Sequence, residues 1–207
     1  MDTLFHSPNE IPFYLTQKSE RINRVGEFLN KNIIPLTKQY QGSGFYLEIG
    51  SGHGHWLNSF AQKHPEKLFI GIDLITKRVR KAESKKKNQD LHNLFFYKAE
   101  ASEFIEAIPD KLSILSTYMM FPDPWPKKRH FKNRLIQENF LKALSKVSKR
   151  NSKFFFRTDH KGYFDWTKDL LSCSPFWEMS VEEWPHNACS FFQNLFDHSF
   201  TCTAKCL

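Results

Sequence analysis

The sequence predicts an α/β protein with a doubly wound, mostly parallel sheet. Three observations carry that prediction. Short apolar runs alternate with helical patterns along most of the chain, the order that builds parallel sheets. A glycine loop, Gly50-Ser51-Gly52-His53-Gly54, follows the first of those runs. Acidic residues then stand at the ends of successive runs, where open α/β sheets bind ligands.

In chain order, Pro8 and Pro12 interrupt an irregular start reaching to about residue 18. Ile22, Val25, Phe28 and Leu29 then recur at helical spacing. Phe45 to Ile49 is a strand, and the helix after the glycines runs through Trp56, Leu57, Phe60 and Ala61 to Pro65. Leu68 to Ile72 is a second strand ending at Asp73, followed by a basic helix from Thr76 to about Asn88. Leu94 to Tyr97 is a third strand, and Ser102 to Ile108 a short helix. Leu112 to Met120 reads as a buried strand. An amphipathic helix carries Leu135, Ile136, Phe140, Leu141, Leu144 and Val147 on one face. Phe154 to Phe156 is a fifth strand ending at Thr158-Asp159, Tyr163 to Leu171 a helix, and Met179 to Glu183 a further strand. With no repeat and no linker, residues 1–207 read as one domain, with a helical extension before about residue 44.

A chain of 207 residues can bury a full core. Its net charge of +8 favours a polyanionic partner and carries no information about fold. No window approaches the roughly twenty apolar residues of a membrane span, and the amino terminus lacks the order of a signal peptide. Cys173, Cys189, Cys202 and Cys206 form no CxxC and no zinc spacing. Reduced thiols, no bound metal and a cytoplasmic location are the expectation.

The glycine loop is not a dinucleotide fingerprint, because His55 stands where G-x-G-x-x-G requires glycine. Its pattern is acid-x-G-x-G-x-G, starting at Glu48. A carboxylate there opposes a pyrophosphate and suits a cationic amine. Gly50 and Gly52 let backbone approach the ligand. Asp73 is placed to accept from ribose hydroxyls, and Glu100 from an adenine amino group. A positively charged nucleoside fits these features, and S-adenosylmethionine is such a molecule.

The second unusual stretch is Phe121-Pro122-Asp123-Pro124-Trp125-Pro126-Lys127-Lys128-Arg129-His130. Three prolines within five residues remove three donors and fix three φ angles, so regular structure stops. A stiff loop at a strand's carboxyl end holds Asp123 in place before anything binds, which is the requirement of preorganised catalysis.

Leu47 to Gly54 resembles motif I of class I S-adenosylmethionine-dependent methyltransferases. Phe121 to His130 resembles the more specific signature of the bacterial tRNA (guanine-N7-)-methyltransferase family, and Arg157-Thr158-Asp159 matches that family's next acidic position. The similarity covers roughly residues 20 to 185. It implies methylation of N7 of a guanosine in the tRNA variable loop. By position it implies that Glu48, Asp73, Glu100 and Asp123 contact the cofactor, that Asp123 is the active-site residue, and that Lys127 and Asp159 contact substrate. The family's T-x-[FY]-E is matched here by Asn194-Leu195-Phe196-Asp197. Asp197 is one methylene shorter than the family's glutamate, and little chain follows to complete the sheet.

Attack by N7 needs no strong base, so alignment carries most of the catalysis. Asp123 either stabilises charge developing on the guanine or anchors the cofactor. Asp159 either accepts from guanine's N1 and N2 donors or caps the helix beginning near His160. Cationic residues cluster at 77–87, at Lys127, Lys128, Arg129, Lys132 and Arg134, and around the fifth strand. The cluster beside Asp123 is expected to meet RNA phosphates. A methyltransferase for a protein or small molecule, or a non-catalytic RNA-binding module, remains an alternative, and the chain is monomer or homodimer.

Overall fold

The computed structural model describes residues 13–40, 44–186 and 198–207. Among these residues seven strands form one sheet, in the order β3-β2-β1-β4-β5-β7-β6. They are β1 (Phe45–Ile49), β2 (Phe69–Asp73), β3 (Leu94–Lys98), β4 (Ile114–Met120), β5 (Ser148–Thr158), β6 (Trp177–Ser180) and β7 (Phe200–Cys206). Strands β1 to β5 are parallel, and β7 lies antiparallel between β5 and β6. The helices are α1 (Phe13–Phe28), α2 (His55–Lys63), α3 (Thr76–Asn88), α4 (Ala101–Glu106), α5 (Glu138–Val147) and α6 (Lys161–Ser172).

Alternation along the central strands sends side chains to two apolar layers. Leu47, Ile49, Phe154 and Phe156 pack with Phe104 of α4, Leu141 of α5 and Tyr163 of α6, while Val25 of α1 joins the same layer. Phe155 and Tyr118 point the other way, against Trp56, Leu57 and Phe60 of α2. Helix α1 is fixed on α4 by a forked pair, Arg21 Nε to Glu103 Oε2 at 2.8 Å and Nη2 to Oε1 at 2.6 Å.

The sheet's order reverses between β1 and β4. From β1 the chain winds outward through β2 to β3, then returns to β4 on the other flank. The crevice beyond such a switch point is where this architecture holds ligands. Register keeps the strand ends level, with Ile49 opposite Ile72 and Met119, and Met120 opposite Arg157. The glycine loop and the proline loop therefore leave neighbouring strands side by side.

Several boundaries differ from the sequence reading. Helix α1 already runs from Phe13. Strand β5 begins at Ser148, six residues before the apolar run that marks it in the sequence. Leu135 and Ile136 precede α5, because Gln137 turns its amide back to the carbonyls of Phe131 and Arg134 at 2.8 and 3.2 Å. The last strand is not missing. The alternation Cys202, Ala204, Cys206 puts three small side chains into the core, and β7 pairs with β5 from Lys153↔Lys205 to Thr158↔Phe200. Among the described residues no helix is long and apolar enough to cross a membrane.

Candidate functional site

The loop after β1 hangs on the end of β2. Gly50 N and Ser51 N both donate to Ile72 O at 2.9 Å. Asp73 accepts from Gly52 N at 3.0 Å through Oδ2 and from Ile75 N at 2.8 Å through Oδ1, and Arg78 Nη1 lies 3.8 Å from it. From the far side Lys85 Nζ donates to His53 O at 3.1 Å.

All three glycines have positive φ, +77° at Gly50, +54° at Gly52 and +69° at Gly54, where side-chain-bearing residues are strained. They divide by what surrounds them. A Cβ at Gly54 would lie 2.6 Å from Phe96 Cζ and 2.8 Å from Ala82 Cβ, so this glycine exists to bring α2 and α3 together. Among the described residues, a Cβ at Gly50 or Gly52 would meet nothing within 4 Å. That side of the loop is an open cradle.

Glu48, the penultimate residue of β1 and two positions before Gly50, is 3% exposed. Its Oε2 has no hydrogen-bond partner among the described residues. Burial, and then the neighbouring charge of Asp73, push its carboxyl up from 4.5 to about 8. A buried acid without a partner is costly unless it stays neutral or meets a cation. The residues thus fit a ligand bearing an ammonium group beside an open glycine backbone. Glu100 also lies at this edge, half-buried. Its Oε2 accepts from Glu103 N at 2.9 Å and caps α4, so local structure occupies one of its oxygens.

The loop after β4 is held differently. Phe121 and Trp125 carry side chains yet sit at φ +50° and +42°. Phe121 N donates to Arg157 O at 2.8 Å, tying the loop's start to β5. Asp123 and Lys127 are exposed. Lys128, Arg129 and Lys132 are exposed as well, and Trp125, 37% exposed, stands edge-on to His130 at 5.8 Å. Arg134 departs from that cluster. It is 2% exposed, so the sequence expectation of a phosphate contact does not hold for it.

At the end of β5, Asp159 is half-buried. The cap of α6 comes from His160, whose Nδ1 accepts from Tyr163 N at 3.1 Å, and Asp159 is not needed for it. Asp197 lies outside the described residues. The structure brings Glu48, Gly50, Gly52, Asp73, Glu100, Asp123 and Asp159 to one edge of the sheet, on the ends of β1 to β5 or the loops that follow them. Sequence reasoning missed the burial of Arg134. Its signal was apolar company, Phe131 before it and Leu135-Ile136 after it.

On helix α3, Lys77, Arg80, Lys81 and Lys87 face outward. Others do structural work: Lys85 holds the glycine loop, and Lys86 Nζ lies 4.6 Å over the Phe95 ring and 3.8 Å from Glu83.

Comparison with known proteins agrees with this geometry. A family model described as putative methyltransferase matches residues 43–196. The tRNA (guanine-N(7)-)-methyltransferase of Mycoplasmopsis pulmonis is 37% identical over 125 residues, covering 60% of this chain and 61% of that protein. The protein of that name from Caulobacter vibrioides is 33% identical over 154 residues, covering 74% of this chain and 68% of its own length. Among solved structures, the aminoglycoside resistance methyltransferase NpmB1 superposes with a TM-score of 0.59 at 16% identity, over 88% of this chain and 93% of that one. The 16S rRNA methyltransferase KamB does so with 0.61 at 15% identity, over 83% and 91%; at such identities the likeness is one of fold. With a switch-point cradle over a buried acid, a proline loop beside it and these relatives, the chain belongs to the bacterial tRNA (guanine-N7-)-methyltransferase family.

Proposed function

We propose that the protein transfers a methyl group from S-adenosylmethionine to N7 of a guanosine in the variable loop of tRNA, in the cytoplasm. The observation that carries this reading is Glu48, a buried carboxyl with an unpartnered oxygen under an open glycine loop. It calls for a cation, and S-adenosylmethionine brings an ammonium group together with the sulfonium methyl that is transferred. Glu48 would hold the ammonium, Gly50 and Gly52 would give close backbone approach, and Asp73 and Glu100 would use their remaining lone pairs on the ribose and the adenine.

Guanine N7 carries no proton, so the protein need not remove one. Its task is to present the base in line with the methyl donor. Asp159 would accept from the donor edge of guanine, with Asp197 as a second acceptor. Asp123 would face positive charge as it moves onto the ring, held there by prolines rather than by a flexible hinge. Lys127, with Lys128 and Arg129, would take phosphates, consistent with the net charge of +8.

The test is transfer of labelled methyl to unmodified tRNA, with mass-spectrometric mapping of the product nucleoside. The reading predicts 7-methylguanosine in the variable loop. Label appearing only in protein or in a small molecule would overturn it, as would tight tRNA binding with no transfer at all.

A further inference from the structure

Arg134 occupies a place that surface position and charge do not explain. Its guanidinium is buried, yet no carboxylate pairs with it among the described residues. Nε donates to Pro124 O at 2.9 Å and Nη1 to Gly162 O at 3.2 Å. Nη2 is buried with no hydrogen-bond partner among the described residues. The group lies 3.7 Å above the Phe131 ring, with Tyr163 at 4.9 Å and Trp166 at 5.5 Å. Burial lowers its proton affinity, as expected for a cation taken from water.

An apolar side chain would fill the space among three rings without that cost. What arginine alone adds is a rigid fork that reaches two carbonyls at once. Those carbonyls belong to different loops. Pro124 follows Asp123 directly, and Gly162 lies in the first turn of α6, three residues after Asp159. The same bracket is tightened around Arg134: Tyr163 Oη accepts from Ile136 N at 3.2 Å, and Trp166 Nε1 donates to Ile136 O at 2.9 Å. Asp123 is close enough for its charge to add to the burial that pushes the Tyr163 phenol up to about 12.

We propose that Arg134 is a positioning residue that clamps the Asp123 loop to the Asp159 turn, so that both acids are presented as one unit. The assignment of those acids to the reacting guanine rests on the function proposed above; the clamp itself rests on the two hydrogen bonds. The strained φ values of Phe121 and Trp125 are held in part by this clamp, because a loop in a sparsely populated conformation persists only when its surroundings fix it.

Arg134→Lys keeps the charge and most of the stem but cannot reach both carbonyls. Hydrogen exchange followed by mass spectrometry should show the hydrogen-bonded amides of the two segments, Phe121 N in the first and His160 N and Tyr163 N in the second, exchanging faster together, with β1, β2 and their loops unchanged. In the methyl-transfer assay kcat should fall about 30-fold, of the order that small misplacement costs. The Kd for S-adenosylmethionine and the KM for tRNA should stay within about twofold of wild type. Arg134→Gln, which loses the charge, should resemble the lysine variant, because geometry rather than charge is what both lose.

Unchanged kcat, or full rescue by lysine, would overturn the clamp. Faster exchange throughout the sheet with a parallel loss of cofactor affinity would make Arg134 an ordinary core residue, and that too would overturn it. Should the wild-type protein transfer no methyl group, the proposed function falls. Exchange then still decides the clamp, which is upheld if both segments loosen together and refuted if one or neither does.

Discussion

Two loops leave adjacent strands at the same edge of the sheet, and each visits the left-handed region of backbone space. After β1 the visitors are Gly50, Gly52 and Gly54; after β4 they are Phe121 and Trp125. Glycine accepts that conformation freely, whereas each bulky residue stores on the order of 1–3 kcal/mol. The glycine loop is anchored at Ile72 O, at Asp73 and by Lys85, and its side at Gly50 and Gly52 stays open among the described residues. The proline loop needs three fixed φ angles, the Phe121–Arg157 hydrogen bond and the Arg134 fork. On the function proposed above, the first arrangement is a cradle for the methyl donor's ammonium group. The second holds an exposed acid and a row of exposed cations on one surface, which on that function faces the tRNA.

The largest effect expected from breaking this division is at Asp159. Asp159→Ala should lower kcat/KM for tRNA by about a thousandfold, near 4 kcal/mol, with cofactor binding by calorimetry unchanged. Asp197→Ala, with its shorter reach, should cost only about tenfold in the same assay. If Asp159→Ala instead weakened cofactor binding, the two ends would not be separable.

Within the cradle, Gly54 and Gly50 should come apart in the same way. Gly54→Ala meets both left-handed strain and Phe96 at 2.6 Å. It should destabilise the fold by roughly 3 kcal/mol, about 10 °C in Tm. Gly50→Ala meets strain alone and should cost about 1 kcal/mol of stability while clearly weakening S-adenosylmethionine binding. Equal thermal shifts would remove the distinction between a packing glycine and a ligand-facing one.

A smaller effect is expected on the exposed side of the proline loop. Lys127→Ala combined with Lys128→Ala should flatten the salt dependence of tRNA affinity by about 1–2 in the logarithmic slope. Arg134 variants should leave that slope alone, since its guanidinium is inside.

The alternation of strands and helices, both loops and the acids at strand ends were legible in the sequence because each depends on local chemistry: apolar runs, glycine freedom, proline geometry. What was not legible depends on distant partners. Arg134 reads as one more cation in a basic run until Phe131, Tyr163 and Trp166 close over it. Asp159 competes for the role of helix cap until His160 is seen to fill it. Strand β7 has a period-2 signal in Cys202, Ala204 and Cys206, but small residues make it faint, and only pairing with β5 gives it weight. The elevated proton affinity of Glu48 likewise follows from burial, which no motif records.

Glu48 offers the most direct test of the cradle. Its folded-state value near 8 stands above the ordinary 4.5, so the neutral form is favoured by the fold. The stability it confers is complete below about 4.5 and is lost as pH rises through 8. At pH 7 an ammonium-bearing ligand must therefore displace the proton as it binds. Titration calorimetry of S-adenosylmethionine at pH 7, in buffers of differing ionisation enthalpy, should show release of a large part of one proton per site, and Glu48→Gln should release almost none while binding more weakly. Binding by the wild-type protein with no buffer dependence would mean that Glu48 is already ionised or never meets the cation, and would contradict a cradle built around its neutral carboxyl.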